Sequence, residues 1–251
     1  MGTSLGLALR ERSLANRVEG FDRDSEHLQK AVAAGAIERA GLTIAEAVAG
    51  SDLVVLAVPP GAIPAVLIEI APHIEPEAII TDMGSVKQKI VETGERLFGQ
   101  RFVGSHPMAG DVKSGPEAAR ADMFEDAPWA IVRSNPFDLK EDAPAKRIYS
   151  LTLALGASPL LMDAARHDKL AALVSHLPHL IAFAYSDTVE SDPEMNLALK
   201  LAGASYRDIT RISSSDGNLW QDIFQQNKDA LLETLLCFEE KLQLLRKRLE
   251  Q

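Results

Sequence analysis

Over the first 162 residues, short apolar runs alternate with stretches of helical periodicity. Apolar runs at 17–22, 53–58, 78–82, 101–103, 130–132 and 159–162 read as strands, and residues 5–10, 25–34, 43–48, 63–71 and 85–98 read as helices. The strand runs are continuous, not alternating, which means burial on both faces. That pattern predicts a parallel sheet covered by helices on each side. Beyond Asp163 the strand pattern stops. Two helical stretches dominate the rest of the chain, a very apolar one over 170–189 and a long amphipathic one from Asp222 to the end. The pattern therefore predicts an α/β domain over residues 1–162 and an all-helical domain over 163–251.

Composition narrows the class. The chain has 251 residues, 46% of them hydrophobic, and a net charge of -10, which disfavours a nucleic-acid partner because phosphate binding calls for a basic face. The single cysteine, Cys237, forms no internal disulfide and fits a reducing, cytoplasmic setting. No apolar run reaches the roughly 20 residues that span a bilayer, and no secretory signal opens the sequence.

The start of the chain carries a partial chemical signature. A Rossmann-like dinucleotide-binding unit begins with a strand, then G-x-G-x-x-G, then a helix whose N-terminus faces the pyrophosphate. Here Met1-Gly2-Thr3-Ser4 leads directly into a helix, so Gly2 stands as the third glycine and the first strand reads as missing. Asp22, at the end of the next strand run, is placed to accept hydrogen bonds from ribose hydroxyls. Arg23 beside it suits a 2′-phosphate, which leaves NADP open alongside NAD. Such a front predicts weak cofactor binding that an added strand and glycine loop would restore. Two later strands end in small-residue turns, Thr81-Asp82-Met83-Gly84-Ser85-Val86-Lys87 and Gly104-Ser105-His106-Pro107-Met108-Ala109-Gly110. In an open α/β sheet, ligands bind beyond such strand ends, so Ser85 and His106 are candidates for chemistry.

These motifs, together with Ala57-Val58-Pro59-Pro60, His167-Asp168, Val174-Ser175-His176-Leu177-Pro178-His179, Tyr206-Arg207-Asp208-Ile209-Thr210-Arg211 and Trp220-Gln221-Asp222-Ile223-Phe224, carry a resemblance. In order and spacing the chain resembles the prephenate/arogenate (cyclohexadienyl) dehydrogenases of tyrosine biosynthesis. The resemblance implies a dinucleotide domain, a helical dimerisation domain, a homodimer, and oxidative decarboxylation of prephenate to 4-hydroxyphenylpyruvate with hydride transfer to NAD. It implies His106 as the base that draws a proton from the ring hydroxyl. Ser85 would bond the same hydroxyl or orient His106, while also capping the helix after it. Lys87 reads as a solvated or cofactor-side charge in that helix. For the cofactor the resemblance points to Gly2, Ser4, Asp22, Arg23, Val58, Pro59, Pro60 and Ser85.

For the substrate carboxylates it points to Arg211, whose planar guanidinium binds such groups in bidentate fashion, with Asp208 and Trp220 around it. Ser175, His176, His179 and Lys113 complete the expected substrate set, although each histidine has the alternative of a core residue bonded to protein. His179 favours prephenate, since several arogenate-preferring relatives lack a histidine there. An acidic gate residue of some relatives is replaced here by Val112. No metal is expected, because hydride transfer needs none. The alternatives are an arogenate or dual-specificity dehydrogenase, a β-hydroxyacid dehydrogenase of the same two-domain plan, and a non-catalytic dimerising fragment. The stripe Ile223, Phe224, Leu231, Leu235, Phe238, Leu242, Leu245 and Leu249 calls for a partner helix.

Overall fold

The computed structural model describes residues 1–110 and 115–251. They form two compact units, 1–167 and 168–251.

The first unit opens with α1 (Gly2–Glu11), β1 (Glu19–Gly20), α2 (Ser25–Ala33), β2 (Arg39–Ala40), α3 (Ile44–Val48) and β3 (Leu53–Leu56). There follow α4 (Ile63–Ile70), β4 (Ile79–Asp82), α5 (Gln88–Phe98), β5 (Phe102–Pro107), β6 (Pro128–Arg133), α6 (Ala143–Ala154), β7 (Ser158–Asp163) and α7 (Ala164–Ala171). Strands β1 and β2 pair in parallel as a small sheet, and β3 to β7 form a five-stranded sheet in sequential order. Helix starts follow the side-chain chemistry. Asp24 and Thr43 accept from the first-turn amides of α2 and α3, and Asp142 does so for α6.

The sheet corrects one expectation. Strands β3, β4 and β5 are parallel, but β6 runs antiparallel to β5 and β7 then runs parallel to β6. A parallel return needs a crossover of a dozen or more residues, usually a helix. Between β5 and β6 the described residues hold only the short turn Pro116–Ala118, so the chain comes back antiparallel.

Burial on both faces is as the apolar runs indicate, since every residue of β4 and β5 is buried. Leu5 and Leu9 of α1 and Ile148 of α6 join Val103 and Ile131 in one core layer. On α5, Ile90, Val91 and Phe98 are buried, and this helix packs against β5. The two glycines at that contact are dictated by distance. A Cβ on Gly104 would lie 2.6 Å from Val91 Cγ2, and one on Gly94 would enter the Phe102 ring.

In the second unit a π-helical turn, Ala172–His176, leads into α8 (Leu177–Glu190), followed by α9 (Met195–Ala198), α10 (Ala204–Ser213), α11 (Gly217–Gln226) and α12 (Lys228–Leu249). Both long helical readings are thereby divided. The π turn interrupts the apolar one, and Asn227 breaks the amphipathic one at φ -113°, ψ 31°. The break has a local cause. The Asn227 amide donates to Asp168 O (2.8 Å) and to His176 Nδ1 (3.0 Å), contacts that a continuous helix would not place. Among the described residues no helix is long and apolar enough to cross a membrane.

Candidate active site

The first unit holds a buried polar knot where β4 meets β5. Asp82 ends β4 with its carboxylate fully buried. Its Oδ1 accepts from Ser105 N (3.1 Å), and its Oδ2 accepts from Gly84 N (2.8 Å) and pairs with Lys87 Nζ. The Ser105 hydroxyl returns a bond to Asp82 O (2.5 Å), and Thr81 Oγ1 donates to Ser105 Oγ (3.2 Å). Lys87 is therefore not a solvated charge in a helix. It is fully buried, stands just before α5, and neutralises Asp82. Burial without such a partner would be prohibitive for either ion.

His106 follows Ser105 on β5. The strand runs on through Pro107, so this histidine belongs to the sheet and not to the turn beyond it. Opposite it in the antiparallel ladder stands Ala130, whose small side chain leaves room for an imidazole. His106 is buried, and its Nδ1 lies 2.9 Å from His167 Nε2, with the two rings edge-to-face at 63°. His167 sits in α7, at the close of the same unit, and is equally buried. Ser85 occupies the loop between β4 and α5, half-buried, and α5 starts only at Gln88, so Ser85 is not its cap. Among the described residues its hydroxyl makes no hydrogen bond. The ring partner of His106 is His167, a residue that sequence reasoning counted as part of a motif but not of the site.

The residues of the expected cofactor set fall on four segments of the first unit. Gly2 opens α1, where a Cβ would come within 3.1 Å of Ala57 Cβ at the end of β3, so the helix start and strand end approach as a glycine allows. No acidic side chain occupies the first turn of α1, which keeps its positive dipole end uncompensated. Asp22 and Arg23 are exposed just past β1, and Asp22 Oδ1 accepts from Asp24 N (2.9 Å), leaving helix capping to Asp24. Val58 and Pro59 are exposed beyond β3. Ser4 is fully buried, its Oγ accepting from Arg120 N (3.2 Å), so it fastens the 116–120 segment. Pro60 is buried as the first residue of a 3₁₀ turn, where its fixed φ suits the turn start and its ring faces inward.

In the second unit, His179 donates from Nδ1 to Ser175 O (2.9 Å) and stacks on Trp220 at 3.4 Å between ring centroids. Desolvation by burial lowers its pKa from the ordinary 6.5, against a smaller raising effect of the Ser175 carbonyl. The neutral ring then carries its lone pair on Nε2. His176 is fully buried, and its Nδ1 accepts from the Asn227 amide, which ties it into the helical core. Ser175 is half-buried, and Arg211 and Asp208 are exposed on α10, where no ion pair joins the two. Lys113 and Val112 lie outside the described residues.

Sequence profiles for the prephenate dehydrogenase nucleotide-binding domain and the prephenate dehydrogenase dimerisation domain match residues 5–154 and 163–251. The chain belongs to the prephenate dehydrogenase family. A prephenate dehydrogenase of Bacillus subtilis is 32% identical over 237 residues, which cover 93% of this chain and 63% of that protein. A cyclohexadienyl dehydrogenase of Zymomonas mobilis is 36% identical over 211 residues, covering 81% of this chain and 69% of that one. This family member thus spans just under two thirds of the length of the B. subtilis relative. Among solved structures, prephenate dehydrogenase from A. aeolicus in complex with hydroxyphenyl propionate and NAD+ superposes with a TM-score of 0.89 at 32% identity, over 98% of this chain and 86% of that one. The architecture is therefore that of the family, a Rossmann-like nucleotide-binding domain followed by a helical dimerisation domain.

Proposed function

We propose that the chain is an NAD-dependent prephenate dehydrogenase that oxidatively decarboxylates prephenate to 4-hydroxyphenylpyruvate, acting as a homodimer. The observation that carries this reading is His106, buried at the end of β5 in Gly104-Ser105-His106-Pro107 with its Nδ1 engaged by His167. With Nδ1 so held, Nε2 is the nitrogen we assign to take the proton. In the reaction, the ring hydroxyl gives its proton to that nitrogen as a carbonyl develops, and hydride leaves the same carbon. Loss of carbon dioxide and aromatisation supply the driving force, so the protein mainly orients two anions and holds the hydroxyl proton until the phenolate takes it back.

The residues present fit a dinucleotide. The close approach of Gly2 to Ala57 clears the start of α1 for phosphate, and the Asp22 carboxylate suits ribose hydroxyls. That carboxylate would repel a 2′-phosphate, which favours NAD. When bound, the dinucleotide supplies the hydride acceptor. For the substrate carboxylates we assign Arg211, with Ser175 and His179 as further substrate contacts, and we assign Ser85 to the ring hydroxyl and the cofactor. One observation favours a second reading. The Nε2 lone pair of neutral His179 is suited to accept from an ammonium group, as in arogenate.

The test is nicotinamide reduction by the purified chain with prephenate and arogenate, each with NAD and NADP. Turnover on prephenate with NAD is expected, and His106→Asn should lower kcat by on the order of 10²- to 10⁴-fold, the usual worth of a general base. Silence with all four pairs at saturating cofactor would sink the assignment.

A further inference from the structure

The bond between His106 and His167 contains one proton, and its location decides whether His106 is a base at all. A neutral imidazole donates from one nitrogen and accepts at the other. If His167 Nε2 carried the proton, His106 Nδ1 would accept it. His106 would then hold its own hydrogen on Nε2, the nitrogen that must receive one. In the opposite arrangement His106 Nδ1–H donates to His167 Nε2, and His106 Nε2 is basic. The geometry suits a fixed choice, because the nitrogens are 2.9 Å apart, the rings are edge-to-face, and both side chains are buried.

We propose that His167 is the positioning residue that fixes the tautomer of His106, accepting from Nδ1–H so that Nε2 is the proton acceptor. The assignment of Nε2 to the substrate rests on the dehydrogenase reading above. As His106 takes up the proton it becomes a cation with donors on both nitrogens, and the bond to His167 becomes charge-assisted and stronger. His167 thus supports the protonated state as well as the ring orientation. The second imidazole stays neutral throughout, since two adjacent buried cations would repel. No covalent bond is made to either ring, and the proton passes from the substrate hydroxyl to His106 Nε2 and returns to the phenolate oxygen formed when carbon dioxide leaves and the ring becomes aromatic.

The decisive measurement is the long-range ¹H–¹⁵N spectrum of the full-length chain with labelled histidine, His106 being assigned by the signals lost in His106→Asn. The expected pattern for His106 is Nδ1 protonated and Nε2 bare. His167→Leu should release that preference and populate the Nε2–H form. His167→Gln, whose Oε1 stands near the Nε2 position and accepts, should restore it. In the coupled assay, the Leu variant should lose on the order of 10²-fold or more in kcat with KM little changed, the expected cost of a wrong tautomer, and Gln should recover most of it. An Nε2–H signal for His106 in the parent chain overturns the proposal. So does a kcat loss of equal size in Leu and Gln, which would mark His167 as a packing residue. If the parent chain turns over neither prephenate nor arogenate, the dehydrogenase reading fails separately, and the spectra alone decide the role of His167.

Discussion

The buried pair of Asp82 and Lys87 shows how one residue's chemistry is settled by its neighbours. Neither ion touches water, and each is tolerated only because the other is there, with two backbone amides satisfying the rest of the carboxylate. Lys87→Met would leave a buried carboxylate uncompensated and should cost about 3–5 kcal/mol of stability. Urea unfolding will measure it. The double change Asp82→Leu with Lys87→Met should recover part of the loss, because no lone charge remains. His179 makes a prediction of a different kind. Burial holds its pKa below 6.5, so near neutral pH the ring is uncharged and Nε2 accepts. A substrate carboxylate brought against it would raise that pKa in the complex. Binding strength so gained is complete below the lowered pKa of the unliganded protein and is lost as pH rises through the higher pKa of the complex. The KM for prephenate should therefore climb with pH in that window, while His179→Asn flattens the profile and a KM for arogenate does not climb. Initial rates at a series of pH values will check this.

Among elements, β5 depends on α5. The helix approaches the strand so closely that Gly94 faces the Phe102 ring and Gly104 faces Val91. Gly94→Ala has to move one element or the other, an overpacking cost of about 1–3 kcal/mol. Since β5 carries Ser105 and His106, kcat should fall along with the midpoint of thermal unfolding. An alanine that left both unchanged would mean the helix yields freely. Elements were legible in the sequence wherever an apolar run had to be buried, which is why β3, β4 and the helices between them fall within a few residues of expectation. The reversal at β6 was not legible, because run composition says nothing of strand direction. Helix starts failed where a buried ion pair, not a cap, sets the boundary, as at Lys87. For the candidate site, His106 was readable from its glycine-rich surroundings. His167 was not, since its partner lies 61 residues away and only the fold unites them. Asn227 was hidden in a helical pattern for the same reason. Ser4 and Pro60 matched motif positions, and the fold buries both side chains.

At the scale of the molecule, the apolar stripe of the C-terminal helices divides into two fates. Ile223 and Leu231 are buried within the second unit, whereas Leu242, Leu245 and Leu249 are exposed on the last turns of α12. Leucines left open on a helix in a dimerisation domain are what a second chain would cover. Leu242→Glu with Leu245→Glu should weaken the homodimer at least about tenfold, or about 1.4 kcal/mol, as light scattering across a dilution series will show. If the mass is unchanged at every concentration, the interface lies elsewhere.

The π turn at 172–176 has a consequence for how such chains vary. Its bonds reach five residues ahead instead of four, so it holds one residue more than a regular turn in the same advance. Removing a single residue there, Val174 for example, would return the segment to ordinary α-helix at little cost to the helix itself. Because the turn absorbs its extra residue in the same advance, the helix after it would keep its face, with His179 still against Trp220. In this stretch a one-residue gap between two relatives is a change of length, not of face.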